Sequence, residues 1–220
     1  MGLLSSTAVT SLFCLAAFLV LSAHAADPEE IRDFAAPPAG TALDGNYFTS
    51  TRLRNISVEN KGSFANVTAV NVNFFPALSG LGVSNALLIY PPGSVNVPHT
   101  HPRGTETLFI TARMCTVTLF IIEGCLEVGL IDTTAPVPVL FTQTLQKDDI
   151  FVFPRGLVHF QINKSNKTTV KAYASFSSTN PGLVSLPRTL FGVNIHGDVL
   201  TKSFQVSPYI IKTLSDAQKS

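Results

Sequence analysis

Between about Ser63 and Phe176 the apolar residues fall in short runs of Val, Phe, Ile and Leu mixed with Thr, interrupted at intervals by Gly, Pro, Asn or Asp. The runs at 64–75, 86–90, 105–110, 137–145, 150–153 and 158–162 have the length and β-branched content of strands, and no long amphipathic helical pattern separates them. Short β-prone runs between turn residues predict an all-β unit, an antiparallel sandwich or barrel. Beyond Asn180-Pro181-Gly182 the spacing changes, and 183–191, 199–204 and 209–214 predict short helices. Upstream, the Pro- and Ala-rich stretch from Asp27 to Leu43 reads as an extended arm. Residues 1–25 carry no Lys, Arg, Asp or Glu, and their apolar run ends at Ala23-His24-Ala25, a small-x-small pattern suited to signal peptidase. The expected organisation is a signal peptide at 1–25, an arm at 26–60, a β-domain at 61–179 and a helical tail at 180–220.

Composition narrows the function classes. Charged residues are 13% of the 220, about half the roughly 25% usual in soluble domains. A net charge of +1 offers no electrostatic footprint for nucleic acid or an anionic membrane, and no membrane association is expected once the leader is cleaved. Of three cysteines, Cys14 leaves with the leader, while Cys115 and Cys125 remain and their pairing is open.

Candidate chemistry lies in two places. In Pro98-His99-Thr100-His101-Pro102-Arg103-Gly104-Thr105-Glu106 the two histidines are two residues apart, so on a strand both imidazoles leave one face. Glu106 follows His101 at an odd offset, and a bend or bulge near Pro102 and Gly104 is expected to restore the phase. The second place is Pro154-Arg155-Gly156-Leu157-Val158-His159-Phe160-Gln161-Ile162-Asn163, a turn feeding a strand with a third histidine. Three imidazoles and a carboxylate make a nitrogen and oxygen set suited to manganese or ferrous iron, with positions left for a small substrate. His196, beside Asn194 and Gly197, reads as a loop residue.

These two segments resemble the paired motifs of the cupin superfamily, and in particular the germins and germin-like proteins of plant cell walls. The resemblance continues through Asp27-Pro28, Asn180-Pro181-Gly182-Leu183-Val184, Thr189-Leu190-Phe191-Gly192 and Lys202-Ser203-Phe204-Gln205-Val206. It implies a cupin β-jelly-roll barrel with an N-terminal arm and a short helical tail, and manganese held by His99, His101, Glu106 and His159. It also implies secretion to the apoplast, possible association with the cell wall, a role in defence, and a homo-oligomer, a hexamer built as a trimer of dimers.

Three departures from the family pattern matter. The arm has no cysteines where many germins form a disulfide. Asp148 stands where the second motif usually begins with Gly, a replacement of modest cost because Asp tolerates the left-handed region. An apolar stretch at about 111–121, including Arg113, Met114 and Cys115, lengthens the segment after Glu106. It reads either as a protruding hairpin or as translated intron sequence.

The family also bears on substrate. Oxalate-oxidising germins hold oxalate with two Asn side chains; one matches Asn96, but the other matches Ala86, which donates no hydrogen bond. Asn85, next to it, is expected to face the other way. The expectations are therefore weak oxalate oxidation, a manganese superoxide dismutase ahead of an oxalate oxidase if the protein is an enzyme, and, as a separate class, a non-catalytic wall-associated binding protein. Four sequons begin at Asn55, Asn66, Asn163 and Asn166; Asn163 is expected to be structural and the other three are candidate glycan acceptors.

Overall fold

The computed structural model describes residues 37, 40–41, 43–56, 63–114, 126–134 and 136–219. The leader, most of the arm, Cys115, Cys125 and residues 115–121 of the apolar stretch lie outside the described residues. Ten strands follow in order: β1 (Asn66–Val70), β2 (Ser84–Tyr90), β3 (Val95–Thr100), β4 (Glu106–Met114) and β5 (Leu126–Asp132), then β6 (Val139–Leu145), β7 (Ile150–Phe153), β8 (His159–Asn163), β9 (Thr169–Phe176) and β10 (Val184–Ser185). The tail forms α1 (Leu186–Phe191), α2 (Gly197–Phe204) and α3 (Pro208–Lys219).

The strands make two five-stranded antiparallel sheets, ordered β1-β2-β9-β4-β7 and β10-β3-β8-β5-β6. This corrects the expected barrel. Closure requires a ladder that runs continuously around the structure, whereas among the described residues the only pairing outside the named strands is an isolated parallel bridge, Phe64 to Val95. The chain repeatedly passes from one sheet to the other through turns, as from β2 to β3, β3 to β4 and β7 to β8. Each sheet therefore keeps its edges, and the architecture is two packed sheets with helices at the C-terminal end.

Period-two burial builds the core between them. On β9, Val170, Ala172, Ala174 and Phe176 are buried while the residues between them are half-buried. They pack with Ala86, Leu88 and Tyr90 of β2, Leu108 and Ile110 of β4, and Leu126 and Val128 of β5. Strand β8 inverts this pattern. Its buried positions are His159, Gln161 and Asn163, while Phe160 and Ile162 are half-buried. A strand that turns its polar residues inward is expected to satisfy them there; Gln161 Nε2 is buried without a hydrogen-bond partner among the described residues, and this polar face marks where the site lies.

Two backbone details connect sequence to conformation. Asp148 has φ +74°, as expected of a residue standing for a turn glycine. Residues 111–114 extend β4 along β9, with a register shift between Ile110 and Ala112. That irregularity falls where the apolar stretch begins.

Candidate metal centre

His99 lies near the end of β3, and His101 follows directly in the turn after that strand. Glu106 opens β4 in the opposite sheet. The odd offset is resolved by the bend at Pro102 and Arg103, through which the chain crosses between sheets; of the expected bend or bulge it is the bend that is present. His159 opens β8 and pairs with His99 across the ladder. Four side chains from two sheets converge, with ligating atoms all within 4.8 Å of one another. His99, His101, Glu106 and His159 are 2%, 8%, 2% and 1% exposed.

The rings are held on both faces. His159 stacks on Phe153 with centroids 4.3 Å apart, and His101 meets Phe176 edge-on at 4.8 Å. Their Nδ1 atoms are held by backbone carbonyls: His99 to Val97 at 2.7 Å, His159 to Leu157 at 2.9 Å and His101 to Gly182 at 2.5 Å. A carbonyl only accepts, so each Nδ1 carries the proton and donates it. That choice leaves every Nε2 free to ligate, the arrangement that orients histidines at metal centres.

The Glu106 carboxylate faces two of these nitrogens, with Oε2 at 3.1 Å from His101 Nε2 and 3.3 Å from His159 Nε2. An Nε2 lone pair and a carboxylate oxygen at this distance repel unless a cation or proton sits between them. Burial alone would raise the Glu106 pKa; in the metal-free site a proton on Nε2 of His101 and of His159, in the place a cation would take, lets both rings donate to the carboxylate and brings its pKa down to about 2. Burial, with His159 nearby, lowers His99 to about 4. At neutral pH the site therefore holds a carboxylate and a neutral His99 in a dry environment, a donor set that fits a divalent cation. The residues present fit the metal implied by the motifs.

A cavity of about 310 Å³ opens on this cluster. Its wall includes Asn96, Ala86, Leu88, Phe176 and the loop at 180–183, and among the described residues no Lys or Arg lines it. Asn96 donates through Nδ2 to Gln161 Oε1 at 2.8 Å. Gln161 also receives the Tyr90 hydroxyl at 3.4 Å. Asn85 turns its Oδ1 to the Ser175 hydroxyl at 3.0 Å, while Ala86 is buried in the sheet interior. Sequence inspection missed Gln161 and Tyr90; on β8 the buried face is polar, so apolar alternation gives no signal for Gln161.

The other sequence candidates lie elsewhere. His196 caps α2, its Nδ1 accepting from Asp198 N at 3.3 Å. Asn55 and Asn166 are exposed, but Asn66 is 6% exposed within β1. Asn163 is fully buried, and its Nδ2 donates to the carbonyls of Tyr90, Pro91 and Thr168. Its amide nitrogen is committed to the fold.

Residues 51–212 match the Cupin family model. The chain is 39% identical over 217 residues to germin-like protein 9-3 of Oryza sativa subsp. japonica, covering 93% of this chain and 94% of that protein. It is 35% identical to germin-like protein subfamily 1 member 17 of Arabidopsis thaliana, covering 89% and 91%. Among solved structures, an oxalate oxidase superimposes with a TM-score of 0.73 at 31% identity, covering 90% of this chain and 92% of that one. An oxalate oxidase in complex with the substrate analogue glycolate gives the same TM-score and identity over 88% and 98%. These matches correct the expected order of activities. The metal site resembles the active site of oxalate oxidase, and nothing in it is specific to superoxide dismutation.

Proposed function

Because the chain belongs to the germin-like group of the cupin family, we propose that it is a secreted, manganese-dependent oxidase of a small carboxylate, acting in the manner of oxalate oxidase. The observation that carries the reading is the convergence of His99, His101, Glu106 and His159 on one point beside a cavity of about 310 Å³. Similarity to oxalate oxidase structures across about nine-tenths of the chain supports it.

His99, His101, Glu106 and His159 would hold manganese, which would supply a redox-active Lewis acid beside the cavity. The protein contributes the burial of these four side chains, the backbone carbonyls that fix the three imidazole tautomers, and Asn96 on the cavity wall. With oxalate the overall reaction balances as oxalate, dioxygen and two protons giving two carbon dioxide and one hydrogen peroxide. Ala86 offers the substrate no hydrogen bond, and a hydrogen bond to a charged group is worth about 1.5–3 kcal/mol, at least a tenfold effect on rate. Peroxide release by the manganese-loaded protein is therefore expected to be slow with oxalate and to rise at least about tenfold in Ala86→Asn. Absence of peroxide from both proteins, with oxalate and with other two- and three-carbon acids, would refute the oxidase reading.

We also propose export to the apoplast and work as a homo-oligomer, in keeping with the uncharged leader in the sequence and the apolar side chains at the surface. Asn55 and Asn166 are the proposed glycan acceptors, since both are exposed.

A further inference from the structure

We propose that Arg103 is a positioning residue for the metal centre, acting through the loop at 180–183 on the ligand His101. The inference concerns metal binding and does not depend on the oxidase reaction.

His101 differs from the other two histidines in how its ring is held. His99 and His159 donate to carbonyls two residues back in their own segments, Val97 and Leu157. Those partners come with the local backbone. His101 donates to Gly182, 81 residues away, so the orientation of this ligand depends on where a distant loop is docked.

Arg103 does the docking. Its backbone N–H donates to the Pro181 carbonyl at 3.1 Å, and its Nε donates to the Asn180 carbonyl at 2.7 Å. The guanidinium also lies flat against Gly182. A Cβ built there would come within 2.9 Å of Nη2 and 3.1 Å of Cζ, and Gly182 has φ +71°. Two residues after the histidine, one side chain thus holds the loop whose carbonyl sets the tautomer and ring angle of that histidine. Close packing at Gly104, where a Cβ would meet Ser178 Cβ at 3.1 Å and Pro181 Cβ at 3.2 Å, leaves the loop little room to settle elsewhere. Immediately beyond it, β10 pairs with His99 and Thr100, so the same loop ties the helical tail to the ligand strand.

Outer partners of metal-bound histidines typically contribute about 10–100-fold in affinity. The test is manganese titration of the full-length secreted protein after metal removal, read by the electron paramagnetic resonance spectrum of Mn²⁺ and by Kd. Apo-protein unfolding temperature is measured alongside. Arg103→Gln is expected to raise Kd about tenfold or more and to change the spectrum of the bound ion. Arg103→Lys, which keeps a cation and a donor, recovers part of the loss. Gly182→Ala, which pushes on the guanidinium, shifts Kd in the same direction.

Leu145→Ala, a core truncation far from the loop, serves as the stability control. The proposal is overturned if Arg103→Gln and Gly182→Ala keep the parent Kd and spectrum. It is equally overturned if Leu145→Ala, at equal loss of apo stability, weakens manganese binding as much. Should Arg103→Gln give no soluble protein, Arg103→Lys decides on the same two readings, the parent Kd and spectrum again overturning the proposal.

Discussion

Titration of the ligands has a definite sign in the metal-free protein. His99 is lowered from 6.5 to about 4, so between those values the unfolded chain binds a proton that the folded chain does not. Stability therefore falls as pH drops from about 6.5 to 4. Glu106, lowered from 4.5 to about 2, adds stability that is present above 4.5 and is lost as pH falls through 2. Both act in one direction, and the apo unfolding temperature should decline steadily with acid, less steeply in His99→Gln over the upper window. A divalent metal bound here would replace protons at these nitrogens, so its Kd should rise as pH falls, and binding should release protons into a weakly buffered solution. A Kd that stays constant as pH falls from about 6 through 4 would contradict the imidazole ligand set.

Strand β8 shows how a single element serves both fold and site. His159 at its start faces the metal cluster, and Asn163 at its end fastens the strand to the turn after β2 and the turn before β9. Asn163 Oδ1 also accepts from Ser165 N at 3.1 Å. Replacing Asn163 by Ala strands buried carbonyls, at about 1–3 kcal/mol for an unsatisfied group. Chemical denaturation should show a loss in that range, and Asn163→Asp should not restore it because a carboxylate cannot donate. Peptide mapping of the protein purified from its source should find Asn163 unglycosylated. The sequence shows β8 only in part: the sequon and the turn before it are legible, but the inward orientation of Gln161 is not. Orientation on a strand is read from apolar alternation, and here the buried face is polar.

For the whole molecule, the low charge content returns as a surface property. Val137, Ile150 and Tyr209 are 73%, 68% and 77% exposed, and β6 presents Val139, Leu140 and Phe141 to solvent. Apolar residues grouped this way need a partner surface or become aggregation sites. Size-exclusion chromatography with light scattering should therefore give a mass that is a multiple of the chain, and Tyr209→Glu should reduce it. Among the described residues no helix is long and apolar enough to cross a membrane. A peptide spanning Met114 to Lys147 in the protein purified from its source would establish that the apolar stretch after β4 is translated and retained.

Local information in the chain determined the strand-rich class, the three tail helices, the turn at Asp148 and the identities of four ligands in two short motifs. Each depends on residues near one another in sequence, where spacing and turn chemistry act directly. Tertiary structure alone decided that two separate sheets form, and that Glu106 reaches His99 and His101 from the opposite one. It also decided that His101 depends on Gly182 and Arg103. The physical reason is that a ladder's edges and a ligand's outer partner are set by which distant segments pack together. Spacing within a motif carries no record of that packing.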